Sequence, residues 1–139
     1  MDKLPNIKQT WQFKASPSTV FAALTDSKIL VKWWPKKAQI DPIKGGRFSL
    51  VFDNGFIWEG KLSSFKENKS VAFPWVQGTA TFKLSKKGKG TLLKLHHEGF
   101  AGVEELAASI AGWTYYLSNL KSILDYGRDL RSKEDSVFG

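Results

Sequence analysis

Cysteine is absent from these 139 residues. That absence removes disulfides, thiolate nucleophiles and Cys-ligated zinc together, and it suits a reducing compartment. Histidine is nearly as scarce, with two rings adjacent at His96 and His97, so a metal would have to be held by these and carboxylates alone. No apolar run approaches the roughly 20 residues of a membrane-spanning helix, and the opening MDKLPNIKQT carries no apolar segment of the kind secretory signals use. A cytoplasmic chain is the expectation. Repeats and low-complexity tracts are also lacking. Acidic residues are few, 13 against 21 Lys and Arg, for a formal charge of +8. Such an excess gains affinity for phosphates through counterion release. The basic residues nevertheless fall in short groups, such as Lys36-Lys37 and the KKGKG stretch from Lys86, which reads as an exposed hairpin loop. No specific nucleic-acid partner is expected from that distribution.

What remains is 42% apolar and 14% aromatic, enough for one domain and its core. We read residues 1–139 as that single domain, with a polar C-terminal tail from about 126. In IKQTWQF, Ile7, Trp11 and Phe13 share one face of an alternating strand. Ser16 is placed to cap a helix that begins at Pro17 and carries Val20, Phe21 and Leu24, and DSKILVKWWP reads as a second short helix stopped by Pro35. From Gly45 to Glu98 the period is two. Phe48, Leu50 and Phe52 precede a turn at Asp53-Asn54-Gly55. Phe56, Trp58 and Leu62 follow it, then Val71, Phe73 and Trp75, then Ala80, Phe82 and Leu84, then Leu93, Leu95 and His97. Beyond Phe100 the period returns to 3.6, and Val103, Leu106, Ala107, Ile110, Trp113, Leu117, Leu120 and Leu124 form the apolar stripe of one long helix.

Strand, two short helices, antiparallel meander and long terminal helix make an α+β chain whose sheet has one apolar face. Only the long helix is large enough to cover that face, so the sheet must curl around it, and such an arrangement leaves a cavity between them. On the last strand, Leu93 and Leu95 set the inward parity, so His97 points in while His96 and Glu98 point out. Two adjacent strand histidines do not share a metal, and the pair that shares a face, His96 and Glu98, supplies only two ligands. No metal site is expected. Gly45-Gly46 reads as a bend or bulge, since no helix follows it to supply a phosphate-binding N-terminus. Trp33 and Trp34 are not expected to face inward together from one short helix, which leaves one of them for the cavity rim or an interaction surface.

The stretches VFAALTDSKILVKWW, GGRF at 45–48, TLLKLHHEGF at 91–100 and GWTYYLSNLKSIL at 112–124, taken in order, resemble the activator of heat-shock-protein-90 ATPase homologue-like family. The family sits within the START or birch-pollen-allergen-like (SRPBCC) superfamily, and the resemblance covers roughly residues 7 to 125. It implies a helix-grip fold: a curved antiparallel sheet wrapped around the C-terminal helix, with two short helices after the first strand and an internal cavity. Members of the superfamily carry lipids, polyketides or other apolar molecules, and a few catalyse cyclisation or hydrolysis. The chain departs from the family pattern in two places. Trp33-Trp34-Pro35 lacks the glycine usual before that proline, and Trp75 to Thr79 is short, which would narrow or close a cavity mouth.

His97 matches the family histidine before the glycine, and the expected state is a buried imidazole packed near Trp113 or Tyr116. By pattern Trp58, Phe73, Trp75, Phe82, Trp113 and Tyr116 take inward or helix-facing positions. With His97 and Leu117 they are the candidate ligand-binding residues. There is no nucleophile elbow, no cofactor fingerprint and no pair of inward carboxylates near His97, so neither a catalytic residue nor a cofactor is assigned. The expected function is binding of a small apolar or aromatic molecule, a lipid, polyketide or polyphenol, in the cavity. The alternatives are a co-chaperone-like interaction with heat-shock protein 90, the possible protein partner, and a cyclase or hydrolase.

Overall fold

A computed structural model describes residues 3–131. β1, Ile7–Phe13, buries both ends of its inward row, and α1, Pro17–Thr25, starts where the Ser16 hydroxyl accepts from the Thr19 amide. Asp26 ends α1 and, through its carboxylate, caps the Lys28 amide of α2, Ser27–Trp33. β2, Lys37–Ile40, was not expected from the sequence. Its four residues hold an extended form because they pair with β3, Arg47–Val51, and because the Ile40 amide donates to Ser27 Oγ. β4, Ile57–Lys61, follows the 53–55 turn. β5, Ser64–Lys66, is a second strand too short to show a period. β6, Ser70–Pro74, β7, Thr79–Lys87, and β8, Gly90–Glu98, complete the strands, and α3, Val103–Tyr126, crosses them.

The helix-grip α+β fold is present, but its sheet is two ladders, β1-β8-β7-β6-β5 and β2-β3-β4. The hand-over is at two residues. The Leu62 amide bonds back to the Gly46 carbonyl beside β3, while the Ser63 amide bonds forward to the Ala72 carbonyl on β6. Gly45 has φ +76°, and a Cβ on Gly46 would collide with the Asp41 carbonyl oxygen, so this bend requires its glycines. Phe56 lies before β4 and is exposed, so it does not continue the inward row to Trp58.

The stripe expected on α3 is corrected at its N-terminal half. Val103 is 67% exposed, Ile110 45%, and Ala107 is also exposed. The buried row runs Leu106, Ser109, Trp113, Leu117, Leu120. At 100° per residue the three misread positions lie roughly 60° to 120° round from the centre of that row. They belong to a second apolar row that helical spacing alone does not distinguish from the first. Among the described residues no helix is long and apolar enough to cross a membrane.

α3 ends on Gly127, whose left-handed backbone (φ 71°) lets its amide bond to Ile123 O and that of Arg128 to Ser122 O. The segment expected to be tail then returns across α2. The Arg131 guanidinium donates to the Val31 and Lys32 carbonyls, and buried Asn119 donates to the Trp33 carbonyl and to Asp129 while accepting from the Leu130 amide. These groups satisfy carbonyls that the end of α2 leaves open. Residues 132–139 lie outside the described residues.

Candidate functional site

Trp33 and Trp34 are both buried, at 1% and 6% exposure, contrary to the expectation that they would not face inward together from one short helix. Trp33 is still helical, and its indole donates to Ala23 O at 2.7 Å on α1. Trp34 has left the helix (φ −123°, ψ −90°), which swings its ring out of the helical sequence of directions and onto Trp33, 5.5 Å away and nearly parallel. From there it meets Trp75 at 5.0 Å, Trp113 at 5.4 Å, Phe52 and Phe73 at 6.1 Å and Tyr116 at 6.4 Å. It is the hub of the aromatic cluster, and the prediction of site residues missed it. The one signal available was Pro35, which ends the helix one residue early.

Trp34 also separates the space inside the grip from the space outside it. Behind it, among Leu24, Leu30, Phe48, Leu50 and Phe73, the void is about 20 Å³, room for about one water. In front are two recesses in the mouth between α3 and the sheets. One, about 410 Å³, is walled by Trp34, Phe52, Phe56, Trp75 and Tyr116, with Lys36, Asp53 and Arg131 at its rim. The other, about 230 Å³, is walled by Trp34, Trp75, Trp113 and Tyr116 over the small residues Ala108, Ser109 and Gly112 of α3. Trp34, Trp75 and Tyr116 are common to both, so the two form one aromatic groove. Burial, and then the charge fields of Tyr115 and Asp53, raise the Tyr116 phenol above its ordinary pKa.

The 75–79 turn holds Trp75 over this groove. The Trp75 amide bonds to Gly78 O, and Val76 is left-handed (φ 53°) although β-branched, a conformation that costs about 1–3 kcal/mol and persists where neighbours impose it. Gln77 does the imposing. Its side-chain oxygen accepts from the Ala101 and Gly102 amides ahead of α3, and its carbonyl faces His97 Nε2 at 2.7 Å.

His97 is fully buried, and its tautomer follows from its partners. Trp113 Nε1 donates to Nδ1 at 3.0 Å, so Nδ1 carries no hydrogen and Nε2–H donates to Gln77 O. Burial holds its pKa below the ordinary imidazole value, against a smaller opposing effect of the backbone carbonyls. Protonation would put a second hydrogen against the Trp113 N–H. His96, half-buried on the opposite face, accepts from Asn6 Nδ2.

Of the residues expected to contact a ligand, Trp75, Trp113 and Tyr116 line the groove. Trp58 stands behind it, edge-on to Trp75 at 5.9 Å with its indole donating to Pro74 O. Phe73 borders only the small inner void. Phe82, His97 and Leu117 lie in the core, at 1%, 0% and 0% exposure, and do not border the groove. Phe52, Tyr115 and Arg131, none of them anticipated, border the groove, and Gln77 braces the turn beside it.

A helix-grip domain with a filled interior and an aromatic groove at its mouth is the class these features define. Residues 14–125 match the family described as "Activator of Hsp90 ATPase homolog 1-like protein", and the chain belongs to that family. No curated protein matches it. The solved structure of SSP2350 from Staphylococcus saprophyticus superposes with TM-score 0.83 at 23% identity, covering 93% of this chain and 98% of that one. The Aha1 dimer from Colwellia psychrerythraea gives 0.80 at 24%, covering 90% and 99%. DynU16, a protein of the dynemicin biosynthetic locus, gives 0.78 at 17%, covering 91% of this chain and 49% of that one. At these identities the likeness is one of fold.

Proposed function

We propose that this protein is a binding module for a small, flat, apolar or aromatic molecule, taken in the groove at the mouth of the grip and not inside it. The carrying observation is that Trp34, Trp75 and Tyr116 wall two adjoining recesses of about 410 and 230 Å³, which taken together reach the size of small-molecule clefts, while the interior offers about 20 Å³. Ring faces favour a planar ligand. An acyl chain, which needs a deep apolar channel, has no place without displacement of Trp34. The occurrence of DynU16 in a biosynthetic locus supports a small-molecule role by analogy of fold. His97, with both nitrogens engaged in the core, offers the groove no general base, which supports binding without chemistry.

Tryptophan fluorescence and amide shifts during titration with a planar polyphenol, beside hexadecanoate, test this reading. The expected result is micromolar quenching by the polyphenol alone, with shifts confined to 34–36, 52–56, 75–78 and 108–116. Lack of quenching by the polyphenol, or shifts centred on Phe82 and Leu117, would overturn it. A second reading, a protein-interaction role at a chaperone ATPase, draws on the family description. Salt-sensitive retention of heat-shock protein 90 on the immobilised protein would favour it.

A further inference from the structure

The ladder β1-β8-β7-β6-β5 turns its inward face to the core and leaves its outer face uncovered by any described element. Register places on that face lysines that the sequence scatters. Across the strands one row reads Thr10, Lys94, Lys83, Ser70, Lys66, and the row beside it reads Lys8, His96, Thr81, Ala72, Ser64. Lys8, Lys66, Lys83 and Lys94 are all exposed. The residues between them are mostly short, so four long cationic side chains rise from a flat surface.

Lys83 and Lys94 are paired directly opposite one another, and like charges so placed weaken a strand pair. Nothing offsets this locally: among the described residues the ion pairs are Lys121–Asp125 and Asp129–Arg131, neither on this face. The one acidic side chain pointing outward from these five strands is Glu98, at the end of β8 opposite Thr79. A partner's negative charge would offset the repulsion.

We infer that this outer face is a docking surface for an acidic α-helical segment of a partner protein, lying across the strands along the row of Lys94, Lys83 and Lys66. Strands succeed one another at about 4.8 Å, and carboxylates one helical turn apart recur at about 5.4 Å, so an acidic helix crossing the strands meets Lys94 and Lys83 one turn apart and, past Ser70, Lys66 two turns further on. These strands point no Phe, Tyr or Trp outward for bases to stack on, only the half-buried His96 imidazole, and none of the chain's arginines, Arg47, Arg128 and Arg131, which are the side chains suited to bidentate phosphate binding. Both features favour carboxylates over a nucleic acid. This surface is separate from the groove and does not depend on it.

The test is fluorescence anisotropy of a labelled glutamate-rich helical peptide, with oligothymidine of equal charge and phosphatidylserine vesicles as competitors. The peptide should bind with an affinity that falls as salt rises. Replacing both Lys83 and Lys94 by Ala should weaken it about tenfold, and removing the same charge from the other ladder, with Lys37→Ala and Lys61→Ala, less than about twofold. Lys83→Glu separates binding from folding. It turns the repelling pair into an attracting one, so its melting temperature should rise while peptide binding is lost. Equal weakening by the two double variants would show that net charge alone attracts the peptide and would overturn the inference. So would stronger binding of oligothymidine or vesicles than of the peptide.

Discussion

Protonating His97 removes the acceptor that the Trp113 indole uses, and the residue scale is where that cost is felt. Because burial lowers its folded pKa below 6.5, the unfolded chain binds the proton first as the solution is acidified. The stability contributed by neutral His97 is complete above about pH 6.5. It declines as pH falls from there towards the folded value, by up to about 1.4 kcal/mol per pH unit. Thermal melts between pH 7.5 and 5 should show this slope, and His97→Gln, which has no proton to gain, should flatten it. A slope unchanged in the variant would assign the effect to other groups. The inward parity of His97 was legible from Leu93 and Leu95, four and two residues before it. Its bond to Gln77 was not, because that contact depends on a turn in which a valine takes a backbone form no propensity favours. Trp34 escaped for a related reason. Helical spacing fixes side-chain directions only while the helix lasts, and it has ended by Trp34.

The elements show the same division between long and short signals. α3, β7 and β8 are long enough for periodicity to define them, whereas β2 and β5 have four and three residues and exist through their partners. On α3 two apolar rows overlap, and the sheet, not the helix, selects which is buried. Leu117 lies on the buried row with no open space around it, so Leu117→Trp should overpack the core and destabilise the protein by about 1–3 kcal/mol. A urea melt would measure this. A variant as stable as the parent would mean that the grip has yielding space that the observed packing does not show. The return of the chain across α2 was invisible to any periodicity, since it is made of single polar contacts. Asn119→Ala leaves the Leu130 amide and the Trp33 carbonyl without their partner, at an expected cost of about 2 kcal/mol, read as a lowered melting temperature. The carboxylate of Asp129, held down to about 2 chiefly by Arg131, should hold this strap fully above its unfolded pKa and release it as pH falls from there through the folded value.

For the whole molecule, composition showed an abundance of aromatic rings and an excess of positive charge, but the arrangement of that charge belonged to the register. Short groups such as Lys86-Lys87 stand out in a linear reading, while Lys8, Lys66, Lys83 and Lys94 become neighbours only when β1, β8, β7, β6 and β5 are laid side by side. The position of the aromatic space was likewise a property of the assembled chain, because whether rings surround a cavity or fill it depends on how they meet. The same register also sets an order of events. Among the described residues β1 pairs with β8 alone, and Ile7 lies opposite His97, so the first of these strands to be synthesised has no partner until the last of them emerges. At about 5–20 residues per second, Ile7, Trp11 and Phe13 wait for about 5 to 20 s with their apolar face uncovered. β5, β6 and β7 can join by neighbouring turns in the meantime, and closure of the sheet is left to the strand pairing of greatest separation, the kind of contact that sets a slow folding rate.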